Sequence, residues 1–275
     1  MSTEAPAPDT IVLIHGLWMT PLSWEHWIDR YRARGYHVLA PPWPGLEGDV
    51  GEIRRDPSPM EELGIEEIVD HYEAIIRELP SPPIIMGHSF GGAFTQVLLD
   101  RGLGAAGVGI DAAAVKGINK LPFSSLRSAF PVLRSPANAH NAVALTLSEF
   151  QYAFTNTMSH EEGMRAFDRY AVPAPGRVLF QGAFASFRRH APTRVDFHRH
   201  DRAPLLLIAG GADHVVPASV DRATAKRFRR NSKALTDYRE FPGRSHFTIG
   251  EAGWEEVADF ALEWAAAHAT EPATV

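Results

Sequence analysis

Residues 87 to 92 read Gly-His-Ser-Phe-Gly-Gly, and within them lies the spacing G-x-S-x-G. The apolar run Ile84-Ile85-Met86 precedes it, and a helix-like stretch from Ala93 to Asp100 follows. A serine caught between a strand and a helix sits on a sharp, strained turn that lifts its hydroxyl clear of the backbone. Gly87 and Gly91 carry no Cβ, so strand and helix can close on each other around it. Ser89 is thereby placed as a nucleophile at the carboxyl edge of a sheet.

A serine hydroxyl is a weak nucleophile near neutral pH and needs a base to take its proton. The chain holds 13 histidines. His246, in Pro242-Gly243-Arg244-Ser245-His246-Phe247, follows the last strand-like run and precedes the last helical one. That order brings it to the same sheet edge as Ser89. His88 is expected to point away from the nucleophile and pack, and His15 to order a loop by hydrogen bonding. His190, His198 and His200 lie among Arg188, Arg189, Arg194, Arg199 and Arg202, a cationic setting that opposes a metal.

The base in turn needs a carboxylate to fix its tautomer and stabilise the imidazolium. Asp213, after Gly210-Gly211-Ala212, and Asp111 both come just after strands. Asp213 is favoured, because its Gly-rich turn can bend toward the histidine; Asp111 then caps a loop or supports the site from behind. The oxyanion formed on attack needs N–H donors aimed at one point. Phe90, next to the nucleophile, supplies one. The loop His15-Gly16-Leu17-Trp18 supplies the other, from Leu17, with Trp18 the adjacent alternative.

The elements that position these residues alternate. Short apolar runs at Ile11–Ile14, Tyr36–Ala40, Ile84–Met86, Ala106–Asp111, Leu205–Ala209 and Asp237–Phe241 read as strands. Between them, apolar residues at intervals of three and four mark helices, most clearly over Glu61–Leu79 and Gly253–His268. Such alternation implies a mainly parallel sheet covered on both sides. Trp43 to Pro59 reads as a loop. The alternation breaks between about Ala112 and Arg202, where stretches such as Leu147–Tyr152 and Glu161–Tyr170 read as a helical insertion.

Composition narrows the functions available. The chain has 275 residues, 27 basic and 33 acidic side chains and a net charge of −6, which weakens electrostatic binding of nucleic acid or of an anionic membrane. It has no cysteine, which excludes disulfides, thiolate chemistry and cysteine–zinc sites. The start, MSTEAPAPDT, is polar and reads as a frayed segment rather than a secretory leader. No run approaches the roughly 20 apolar residues that span a bilayer. A cytoplasmic protein without stable membrane insertion is expected.

These markers resemble those of the α/β-hydrolase-fold serine hydrolases, especially small soluble esterases and lysophospholipase-like members. His15-Gly16, Gly87 to Gly92, Asp213 and Gly243 to Phe247 match in order and spacing, over about Thr10 to His268. The resemblance implies an α/β fold: a mainly parallel sheet of about six strands flanked by helices. Residues 1–116 and 203–275 would form its core and residues 117–202 a helical cap. It implies a triad of Ser89, His246 and Asp213, with Leu17 and Phe90 as oxyanion donors. Phe123, Phe130, Phe150, Tyr152, Phe154 and Met158 would roof the site, with Trp18, Phe150, Phe154 and Met158 against substrate. An aromatic, uncharged lining suits an apolar acyl or aryl group. The activity expected is hydrolysis of a neutral carboxylic ester or lactone through an acyl-enzyme. The partner is then a small-molecule substrate, with no cofactor and no metal called for and the oligomeric state left open. The same triad also serves cofactor-free lyases and C–C bond hydrolases, and the fold also serves ligand receptors.

Overall fold

A strand covered on both faces must be apolar at successive positions rather than at alternate ones. Four runs meet that condition and become the centre of one sheet: β1 (Thr10–Ile14), β3 (Ile84–His88), β4 (Ala106–Ile110) and β7 (Leu205–Gly210), each buried from end to end. β2 (His37–Leu39) and β8 (Thr236–Phe241) keep partly exposed side chains and form the two edges. The order is β2-β1-β3-β4-β7-β8, parallel throughout. This computed structural model describes residues 8–120 and 122–270. Residues 1–7, read above as a frayed start, lie outside the described residues.

Parallel neighbours require long crossovers, and helices supply them. α1 (Glu25–Ala33), α3 (Ile65–Arg77), α4 (Phe90–Asp100), α9 (Ser219–Asn231) and α10 (Trp254–His268) flank the sheet. The periodic face of α3, Ile65, Ile68, Val69, Tyr72 and Ile76, is buried as its spacing predicts. α4 is buried along nearly its whole length, so the turn that carries Ser89 rests on an immobile support. Among the described residues no helix is long and apolar enough to cross a membrane.

The stretch expected as a loop after Trp43 contains a further helix, α2 (Val50–Arg55). Asp49 and Glu52 close a capping box, each side chain accepting from the other's N–H at 2.8 and 3.0 Å. Ile53 is its one buried residue, so no apolar period was there to read. Between β4 and β7 lie α5 (Phe123–Leu133), α6 (Leu147–Ala153), α7 (His160–Tyr170) and α8 (Gly176–Ala183). α6 and α7 were legible from their spacing and open on capping boxes. α5 was hidden by Pro131, whose missing N–H falls in its last turn. A two-residue antiparallel ribbon, β5 (Ala142–Val143) with β6 (Ala174–Pro175), completes the insertion.

Polar contacts fasten the insertion to the sheet layer. Gln181 Oε1 on α8 accepts the first N–H of α3, from Ile65, at 2.7 Å. Arg169 on α7 pairs with Glu25 on α1, and Tyr170 Oη–H donates to the same carboxylate at 2.6 Å. The β5–β6 ribbon grips the loop after β1. Trp18 Nε1–H donates to the Val143 carbonyl at 3.0 Å, and the Val172 N–H to the Trp18 carbonyl at 3.0 Å.

Candidate active site

The site begins where β3 turns into α4. Ser89 has φ 56° and ψ −119°, a backbone conformation that a side-chain-bearing residue adopts at a cost of about 1–3 kcal/mol. The turn is held by main-chain bonds: Ser89 N–H donates to the Ile110 carbonyl at 2.9 Å, and the Ser89 carbonyl accepts from Gly92 and Ala113 at 3.0 and 2.9 Å. A Cβ at Gly87 would collide with the Gly91 carbonyl, and one at Gly91 with that of Ile14. Both glycines of the motif are thus sterically required. The serine is 4 % exposed.

His246 sits in the loop after β8, with its side chain fully buried. Its Nδ1–H donates to Asp213 Oδ2 at 2.6 Å. The other carboxylate oxygen of Asp213 accepts from the N–H groups of Val215 and Val216, at 2.6 and 2.9 Å. Three donors therefore fix the carboxylate, and the carboxylate fixes the imidazole tautomer. His246 Nε2 is buried and without a hydrogen-bond partner among the described residues.

His88 does more than pack. Its Nε2–H donates to the His246 carbonyl at 2.7 Å, with the two rings 4.7 Å apart. The residue before Ser89 thus tethers the main chain of His246. Burial and the neighbouring His246 hold the His88 imidazole well below the ordinary histidine range, so it stays neutral. His15 orders its loop as expected: Nδ1–H donates to the Gly16 carbonyl at 3.0 Å, Nε2 accepts from Trp43 N–H at 3.3 Å, and burial lowers its pKa to about 4.

Gly16 brings that loop against the elbow, since a Cβ there would stand 2.7 Å from Ser89 Cβ. The Phe90 N–H opens α4 and has no intrahelical acceptor. Among the described residues neither it nor the Leu17 N–H donates to a protein group. Ser89 opens onto an apolar cavity of about 140 Å³, walled by Trp18, Phe90, Val215 and Val216 and by Leu126, Ala129, Leu133, Leu179 and Ala183 of α5 and α8.

The model of the alpha/beta hydrolase family matches residues 11–260. The chain belongs to the alpha/beta hydrolase family. Solved structures of the same fold include a monoacylglycerol lipase of Paleococcus ferrophilus, 21% identical, with 96% of each chain covered and a TM-score of 0.66. An extracellular alpha/beta-hydrolase from a Paenibacillus species is 19% identical, over 93% of this chain and 98% of that one, with a TM-score of 0.66. A pyrethroid hydrolase from Sphingobium faniae is 20% identical, over 94% and 98%, with a TM-score of 0.64. Comparison with curated protein sequences returned no significant match.

In this alpha/beta hydrolase the residues expected against substrate are spread unequally. Trp18 lines the Ser89 cavity. Phe154 meets the His246 ring edge-on at 5.0 Å and the Trp18 ring at 6.1 Å. Phe150 stacks behind Phe154 at 4.8 Å, and Met158 faces a separate groove with Arg239 and Arg244. Phe123 and Phe130, expected in the roof, turn outward to solvent. The walls from α5 and α8 went unread: Leu126, Ala129 and Leu133 have helical spacing, but Pro131 interrupts it.

Behind the site lie two further buried carboxyl groups. Asp111 Oδ1 accepts from Gly210 N–H at 2.5 Å, while Oδ2 has no partner among the described residues. Burial, and then the charge of Asp213, push Asp111 well above the usual carboxylate range, and the same two causes act on Asp221 in α9. Burial favours the neutral form of both. Atoms of His88, Asp111 and His246 lie within 4.8 Å of one another.

Proposed function

We propose that this chain is a serine hydrolase of small, neutral, apolar carboxylic esters or lactones, with residues 117–202 as its cap. The observation that carries the reading is the buried His246–Asp213 pair at 2.6 Å, in a fold whose strand-to-helix turn holds a strained serine at the wall of an apolar cavity. Ser89 Oγ attacks the carbonyl carbon while His246 Nε2 takes its proton. Asp213 stabilises the imidazolium. The negative charge that develops on the carbonyl oxygen meets the N–H groups of Leu17 and Phe90. His246 then protonates the departing alkoxide, the acyl group remains on Ser89, and a water deprotonated by His246 releases it as the acid. Trp18 walls the cavity, Phe154 packs against Trp18 and His246, and Phe150 stacks behind Phe154.

The size of the cavity bears on the substrate. An apolar hole of roughly 150 Å³ holds one benzene ring. The Ser89 cavity, at about 140 Å³, therefore suits one aryl ring or a short acyl chain. The lipase and pyrethroid hydrolase among its structural neighbours are named for ester substrates, which agrees with this class.

Hydrolysis of p-nitrophenyl esters of increasing acyl length tests the reading, alongside labelling by a fluorophosphonate. Butyrate should be turned over at least about tenfold faster than laurate, since a chain longer than the cavity must push its walls apart at a cost of about 1–3 kcal/mol. Ser89→Ala should abolish labelling and lower turnover on the order of 10⁶-fold. Labelling without ester turnover, or residual Ser89→Ala activity within about tenfold of wild type, overturns it.

A further inference from the structure

The net charge of −6 conceals an uneven distribution. Residues 112–148 and 176–195 contain no aspartate or glutamate, yet include Lys116, Lys120, Arg127, Arg134, Arg188 and Arg189. The two stretches make one surface. Ser186 Oγ–H donates to Asn119 Oδ1 at 2.6 Å, and Lys116 Nζ donates to the carbonyls of Arg188 and Arg189 at 2.6 and 2.7 Å. α5 and α8 both wall the Ser89 cavity. Among the described residues none of those six cations pairs with a carboxylate.

The same surface is apolar where it meets water. Phe123 is 78% exposed, Phe130 61% and Phe187 86%. Phe123, Arg127, Phe130 and Arg134 recur at intervals of four, three and four, so aromatic and cationic side chains share one stripe of α5 and its end. Leu126 and Lys120 belong to this surface and also line the cavity, so the patch runs into the mouth of the site. Contiguous exposed aromatics mark a place of contact. Aromatic side chains interleaved with Lys and Arg are what a lipid–water boundary holds, the rings among the acyl chains and the cations at the headgroup phosphates. A negative lipid surface attracts this face and repels the acidic remainder, which selects one orientation.

We propose that the α5–α8 face docks peripherally on an anionic lipid surface, with Phe123, Phe130 and Phe187 in the acyl–headgroup boundary and the Ser89 cavity opening toward the lipid. The docking itself does not depend on the hydrolase reading; only its use, the supply of apolar substrate to Ser89, rests on it.

Flotation of the full chain with vesicles tests the proposal, using two-to-one phosphatidylcholine–phosphatidylglycerol against phosphatidylcholine alone. The protein should float with the anionic vesicles and at least about tenfold less with the neutral ones, since each basic residue at the surface contributes about a fivefold gain. High salt should release it. Phe123→Ser with Phe187→Ser, and separately Arg134→Glu with Arg188→Glu, should each weaken flotation more than about tenfold. Both double variants should leave turnover of a water-soluble short ester unchanged. Ser89→Ala should float like wild type, which separates docking from catalysis. Absence of flotation with anionic vesicles, or flotation indifferent to both double variants, overturns the proposal. So does a dimer in gel filtration that Phe123→Ser with Phe187→Ser dissociates, because the face would then belong to a second copy.

Discussion

Asp111 and Asp213 follow neighbouring strands, and their surroundings give them opposite chemistry. Asp213 accepts from two backbone N–H groups and from His246, which is what an ionised carboxylate needs. Asp111 has one backbone donor, from Gly210, and an unpartnered oxygen in a fully buried place, which favours its neutral form. Asp213→Asn should therefore lower ester turnover by about 10⁴, because the amide no longer orients or stabilises the imidazolium. Asp111→Asn, a neutral replacement for a neutral group, should stay within about tenfold of wild type. Measured kcat for both variants on one short ester checks the pair, and the reverse ranking would move the acid to β4. The sequence brought both aspartates to the right sheet edge, because strand ends are legible from apolar runs. It also favoured Asp213, because the Gly-rich turn before it can bend toward residue 246. Asp221 gave no signal at all. In the first turn of a helix, an aspartate reads as a solvated partner of the helix dipole.

At the level of elements, the loop after β1 is held from outside the sheet. Trp18 has φ 62°, uncommon for a bulky side chain; its indole N–H bonds to Val143 of the β5–β6 ribbon and its carbonyl to Val172, just before β6. Leu17, the proposed oxyanion donor, immediately precedes it, so the seating of the insertion bears directly on that N–H. Trp18→Phe keeps a ring against Phe154 but loses the bond to the Val143 carbonyl. It should lower kcat on the order of tenfold with a smaller change in KM, a fraction of the 10²–10³ cost of deleting an oxyanion donor. Kinetics on a short p-nitrophenyl ester decide it: a rise in KM alone would reduce Trp18 to a cavity wall. None of this coupling was visible beforehand, because a two-residue ribbon carries no periodicity. The core helices and the six strands were legible, since each is long or apolar enough to show its period. α2 and α5 were not, the one too short and the other crossed by Pro131.

The molecule as a whole contains buried ionisable groups of both kinds, and they bend its stability in opposite directions. His15 and His88 are neutral when folded, with His15 lowered from 6.5 to about 4 by burial and His88 well below its usual range. The unfolded chain binds their protons first, so their contribution is present above about 6.5 and is lost as pH falls from there toward 4. Asp111 and Asp221 are protonated when folded, raised well above 3.8 by burial. Their contribution is complete below about 3.8 and declines as pH rises through their folded pKa. Where both kinds of group titrate their contributions oppose each other, and each group alone would give a slope of about 1.4 kcal/mol per pH unit. The acids' slope is downward as pH rises toward their folded pKa, so thermal unfolding should show stability declining on the alkaline side. Asp111→Asn should flatten the alkaline decline, gaining stability over wild type at pH 8 and little at pH 5. An alkaline limb as steep in Asp111→Asn as in wild type would mean that Asp111 is already ionised in the fold, and that the buried cluster behind His246 holds more than one negative charge.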